Sequence, residues 1–177
     1  MKKYLILFLM ILLVLGLGIN VQAQILNEWQ ELHFEEDPFT GEVELIIGRP
    51  AEDMVHMIGI RNLFEPIDII ILTIGARTPA EFATGRYKFD DEETRTANWA
   101  YAEEHEFYYF MGDSETVNYN TSDEDYYDHL RDFVRKMMEH DTLTMEIVYE
   151  TSKNEYAVFD LSGLTATITP HLDKFGM

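Results

Sequence analysis

The chain has 177 residues and a strong acidic excess, with 33 Asp and Glu against 13 Lys and Arg and a formal net charge of −20. A surface of that sign repels phosphate backbones and anionic lipid, which argues against nucleic-acid binding and peripheral membrane attachment. The chain has no cysteine, so thiol catalysis, thiolate zinc sites, iron–sulfur clusters and disulfides are all excluded.

The first residues read as a secretory signal. Lys2 and Lys3 give a positive start, Tyr4 to Leu17 an apolar run, and Val21-Gln22-Ala23 the small residues of a cleavage site, with Gln24 as the expected mature start. The run is shorter than the roughly 20 residues that a spanning helix needs. No cysteine follows the cleavage point for a lipid to modify, so no stable membrane anchor is expected after processing. The expected mature product, residues 24–177, has the length of one domain and an extracytoplasmic destination, periplasm or external medium. Loss of Lys2 and Lys3 leaves 11 basic residues against 33 acidic ones. That balance suits a cationic partner, divalent ions or plain solubility in salt.

Strand signals dominate the remainder. Glu28 to Phe34 reads as a first strand carrying Trp29, followed by the turn Asp37-Pro38-Phe39-Thr40-Gly41. Glu42 to Gly48 alternates with Val43, Leu45 and Ile47 on one face. Met54 to Ile60 and Ile67 to Ile74 are short, β-branched apolar runs of buried-strand length. Gly75 to Thr84 reads as a loop. Arg86 to Phe89 alternates, and the run Asp90-Asp91-Glu92-Glu93 turns the chain. Thr94 to Glu103 sets Ala97, Trp99 and Tyr101 on one face, and Glu106 to Met111 follows as an aromatic strand. Its stretch Phe107 to Phe110 is apolar on both sides, so one side faces either the helix or a partner.

One amphipathic helix is expected over about 123–140, with Tyr126, Leu130, Phe133, Val134, Met137 and Met138 at helical spacing. Thr121 or Ser122 can cap it, each with an acid three residues on. Thr142 to Glu150 and Glu155 to Leu161 read as a hairpin, and Leu164 to Phe175 as a short helix or an extended tail. Eight or nine short strands with one helix point to a mainly β fold, an antiparallel β-sandwich or a partly closed barrel.

No nucleotide loop, nucleophile elbow or zinc-protease helix occurs. His129 and His140 are eleven residues apart on the expected helix, about 16 Å at 1.5 Å per residue, too far to share a metal. No carboxylate pair stands out as a glycosidase dyad. No cofactor is expected. Calcium is the one ion that the acidic runs at Asp90 to Glu93 and Asp123 to Asp125 suit, although neither has the spaced calcium-loop pattern. Trp29, Trp99, Tyr101 and Phe107 to Phe110 offer either core aromatics or a platform for a glycan or peptide.

The order of several features resembles a known family. Trp29, Arg61 at a strand end, Gly85-Arg86-Tyr87-Lys88-Phe89-Asp90-Asp91, Trp99, the helix around Phe133 and Phe159-Asp160-Leu161-Ser162-Gly163-Leu164 together resemble the exported accessory proteins of type VI secretion, the VasI/TagO group and its relatives. Members often carry a cysteine near the early Arg strand, where this chain has Ile60-Arg61-Asn62. The resemblance implies an extracytoplasmic, non-catalytic accessory protein that binds a protein or an envelope polymer, and it carries no catalytic residue across. The expected contact residues are Arg61, Arg86, Asp90, Asp91 and Trp99, since a few Arg and Trp side chains in an acidic surface are typical anchors. For Trp99 the alternation favours the core instead. The competing expectation is a calcium-stabilised carbohydrate-binding or carbohydrate-active domain.

Overall fold

The computed structural model describes residues 28–33, 45–62, 67–73, 82–102, 107–115, 117, 121–149 and 153–177. The expected signal segment and the Asp37 to Gly41 turn lie outside them. The described strands are β1 (Gln30–His33), β2 (Leu45–Pro50), β3 (His56–Asn62), β4 (Asp68–Thr73), β5 (Phe82–Phe89), β6 (Arg95–Ala102), β7 (Phe107–Asp113), β8 (Thr142–Ile147) and β9 (Glu155–Asp160). Helix α1 (Asp123–Glu139) precedes β8. A short helix α2 (Leu164–Ile168) runs into a 3-10 helix (Thr169–Phe175).

All nine strands belong to one antiparallel sheet in the order β1-β2-β3-β4-β7-β6-β5-β8-β9. The sheet curls into a half-barrel, so the partly closed barrel holds and the two-sheet sandwich does not. Its far ends meet through a few polar contacts. The Glu52 amide donates to the Val158 carbonyl at 2.9 Å, and Arg49 Nη2 donates to Asp160 Oδ2 at 2.6 Å.

Period-two alternation explains the core. Leu45, Ile47, Ile58, Ile60, Ile69, Ile71, Tyr87, Phe89, Ala97, Trp99, Tyr108, Phe110, Leu143, Met145, Ala157 and Phe159 all point into the concave side and are buried. Helix α1 lies in that concavity on Leu130, Phe133, Val134 and Met137. The Phe133 ring sits 4.2 Å from Phe110, 5.2 Å from Phe89 and 5.4 Å from Tyr87. Burying each such side chain contributes roughly 1.5–3 kcal/mol. Ser122 caps α1, its hydroxyl oxygen accepting from the Asp125 amide at 3.2 Å, and Asp123, Glu124 and Asp125 occupy the positive end of the helix dipole. Leu164, Ile168 and Phe175 complete the concave filling.

Two boundaries differ from the sequence expectation in ways that matter. Strand β5 begins at Phe82, four residues before the expected Arg86. Ala83 and Gly85 are poor strand formers, and the pairing of Phe82 to Gly85 with Ala97 to Ala100 of β6 overrides that. Strand β2 runs on to Pro50, where antiparallel pairing with Met57 holds it.

Candidate functional site

The convex face of the half-barrel carries two clusters of the same composition, each an arginine, a carboxylate and a tyrosine. In the first, Arg61 at the end of β3 donates to Asp68 Oδ2 at 2.7 Å and to the Tyr109 hydroxyl at 3.3 Å, with its guanidinium 5.3 Å from the Tyr109 ring centre. Arg61 and Asp68 are both buried, and Ile46, Ile70, Leu72 and Tyr109 form a small apolar cluster on this side of the sheet. Burial opposes the Arg61 charge, and the Asp68 carboxylate beside it more than offsets that, so its pKa is raised.

In the second, Arg86 of β5 meets Glu146 of β8 two-pronged. Nε donates to Oε2 at 2.9 Å and Nη2 to Oε1 at 3.1 Å. Strand alternation sets this geometry: Tyr87 and Met145 are register partners and face the core, so Arg86 and Glu146 fall side by side on the convex face. Glu146 stands opposite Tyr156 of β9. Arg86 also donates to the Tyr156 hydroxyl and lies 5.6 Å from that ring centre. Tyr156 and Asn154 donate in turn to Glu146 Oε1, at 3.3 and 3.1 Å. The arginine hydrogen bonds, above all, hold the Glu146 carboxyl down at about 2. The Arg86 guanidinium is raised by the same pair.

This second cluster is open. The Arg86 side chain is 54% exposed and Tyr156 is 54% exposed, while Glu146 beneath them is buried. Along the same strand Phe82 stands 76% exposed, and between them the Thr84 hydroxyl donates to Asn98 Oδ1 at 3.0 Å. Phe82, Ala83, Thr84, Asn98, Trp99, Met111 and Val117 line a shallow, open hollow of about 380 Å³ at that end of the face. Gly85 is required where this face meets the core. A Cβ there would come within 2.6 Å of the Glu146 carbonyl oxygen and 3.3 Å of Trp99 Nε1.

The expected contact residues therefore separate. Arg86 is on the open face. Arg61 is buried in its own cluster. Trp99 is 4% exposed and packs edge-on against Phe110 and Tyr108, with ring centres 5.0 and 6.3 Å away. Asp90 closes the end of β5 in a left-handed conformation, φ 39°. Its carboxylate accepts from the Thr142 amide at 2.7 Å and hydroxyl at 2.9 Å, and His140 Nδ1 lies 2.9 Å away. The His140 contact and the Thr142 and Asp141 hydrogen bonds bring Asp90 down to about 2. Asp91 is exposed in the following turn. The expected aromatic platform divides in the same way. Trp29, Trp99, Tyr108 and Phe110 are core, and among the described residues the exposed aromatics are Phe82 and Tyr156.

Tyr156 was legible in the sequence: it alternates with Ala157 and Phe159 and so belongs on the outer face. A second feature gave no such signal. His56 is enclosed at the seam of the curl, with Nδ1 2.6 Å from Asp53 Oδ2 and Nε2 2.9 Å from the Tyr149 hydroxyl. Burial opposes ionisation of Asp53, but the Val55 amide and His56 keep its pKa lowered. A carboxylate, imidazole and hydroxyl in series is the order of a general-base relay. Here the His56 ring is fully enclosed and Tyr149 is buried, so the series ties β3 to the β8–β9 hairpin and presents no reactive atom to a substrate. Among the described residues no group of three or more His, Asp or Glu side chains is arranged to hold a metal ion, and no helix is long and apolar enough to cross a membrane.

No protein-family model, no curated protein and no solved structure matches this chain.

Proposed function

We propose that this protein is an exported, non-enzymatic accessory protein that binds a protein or an envelope polymer outside the cytoplasm, through the convex face of β6, β5, β8 and β9. The observation that carries the reading is the Arg86–Glu146–Tyr156 cluster. A guanidinium pinned flat by a two-pronged carboxylate, with an exposed ring beside it, is already ordered before a partner arrives. Binding then costs less side-chain entropy than freezing a free arginine. Arginine and tyrosine are also among the side chains that most often anchor interfaces. The signal-like N-terminus and the motif order shared with the type VI accessory group support the same reading.

The test is capture from the native host's envelope by the tagged mature protein, compared with the Arg86→Ala and Tyr156→Ala variants. One dominant partner, recovered by the native chain and lost in both variants, is the expected result. A partner retained equally by both variants removes this face from the reading.

A further inference from the structure

The open face has a composition at odds with the rest of the molecule. Taking the side chains opposite to the core-facing ones, β6 contributes Thr96, Asn98 and Ala100, and β5 contributes Phe82, Thr84, Arg86 and Lys88. Strand β8 adds Thr142, Thr144 and Glu146, and β9 adds Tyr156, Val158 and Asp160. Arg86 is neutralised by Glu146, and Asp160 by Arg49. In a chain with 33 acidic residues, this face is left with no net negative charge.

Its exposed chemistry is of two kinds. The first is flat apolar rings. Phe82 lies four residues along β5 from Arg86, about 13 Å at 3.3 Å per residue, and Tyr156 lies two strands across, about 10 Å at 4.8 Å per strand. The second is planar polar groups between and beside those rings: the Asn98 amide, the Arg86 guanidinium and the Asn154 amide, with hydroxyls from Thr84 and Thr96. Rings stack on the C–H faces of pyranose sugars, and planar groups with paired donors or acceptors match vicinal hydroxyls. A cationic polymer would find no excess of carboxylates here, and an anionic one would be repelled by the surrounding protein.

Building on the binding reading above, we infer that the partner on this face is an uncharged polysaccharide strand, held by Phe82 and Tyr156 and oriented by Arg86 and Asn98. Attachment through stacking and neutral hydrogen bonds is insensitive to salt, in contrast to any contact made by the acidic remainder of the surface.

The experiment is co-sedimentation of the purified exported protein with insoluble cellulose and with chitin, at low and at high salt. The expected result is binding to at least one of them, unchanged by salt. Phe82→Ala and Tyr156→Ala should each lower the affinity about tenfold, the size of one lost anchor. Tyr156→Phe, which keeps the ring, should lose much less. Urea midpoints of all three variants close to that of the native chain establish that they are folded. Failure to sediment with either polysaccharide, or sedimentation that survives Phe82→Ala combined with Tyr156→Ala, overturns the inference. If a captured envelope protein is then lost on Tyr156→Ala, the binding reading stands and the polysaccharide falls. If no binding of any kind depends on Tyr156, both fall.

Discussion

The two arginine clusters on the convex face are built alike and placed differently. Arg61 and Asp68 are enclosed beside Ile46, Ile70 and the half-buried Tyr109, whereas Arg86 and Tyr156 are each about half exposed. An enclosed ion pair is a structural commitment, because removing one partner strands a charge away from water. In the second pair only the carboxylate is enclosed, while the guanidinium reaches solvent and stays accessible, which is what the proposed binding role requires. An arginine, a carboxylate and a tyrosine thus build both clusters, and exposure of the arginine sets the two apart.

The largest expected effects come from the enclosed side. Asp68→Ala removes the carboxylate at 2.7 Å from the buried Arg61 guanidinium and should destabilise the fold by about 3 kcal/mol. Trp99→Ala opens the aromatic core and should cost a similar amount, about 3–5 kcal/mol. Urea unfolding measures both, and partner binding by the fraction still folded should be unaltered. A loss of binding out of proportion to unfolding would make Arg61 or Trp99 a contact residue after all.

Acid sharpens the comparison further. Glu146 falls from 4.5 to about 2 and Asp90 from 3.8 to about 2 on folding. Both pKa values are depressed, so the stability they contribute is complete above the unfolded values. It is lost as the pH falls through that window towards 2. Glu146→Gln should therefore lower stability at neutral pH, flatten the acid limb of a plot of stability against pH, and leave the region near pH 2 nearly unchanged. An acid limb identical to that of the native chain would show that the Arg86 pair is not formed in solution.

Smaller effects follow. Ser122→Ala removes the cap of α1 and should cost about 1 kcal/mol in the same unfolding assay, without touching binding. Arg86→Ala should lower the unfolding midpoint modestly and by less than Asp68→Ala does, because Glu146 keeps the Asn154 and Tyr156 donors.

Strand alternation made most of the fold readable. The clean patterns at Leu143-Met145-Ile147 and Ala97-Trp99-Tyr101 placed those side chains in the core, and Ser122 with Asp125 marked the start of the helix. What closes the curl was not readable. Arg49 with Asp160, Glu52 with Val158 and His56 with Tyr149 join residues roughly a hundred positions apart, and no local pattern encodes such pairs. Nor does alternation say whether an outward residue meets water. It sets Arg61 and Arg86 on the same convex side, and only the neighbouring Ile46 and Ile70 distinguish the enclosed one. Asp90 shows another limit of sequence reading. A carboxylate that ends a strand looks available in sequence, yet it is engaged by Thr142 and His140, which lie some fifty residues on.

The most direct test is a paired measurement of stability and partner binding on Arg86→Ala and Asp68→Ala. The expected result is a crossed pattern. Arg86→Ala loses binding with a modest drop in the urea midpoint, since Glu146 keeps its Asn154 and Tyr156 donors, while Asp68→Ala loses more stability and its folded fraction binds as the native chain does. If instead Arg86→Ala unfolds the protein, or binds as well as the native chain, the exposed cluster is structural and the assignment of roles to the two clusters is wrong.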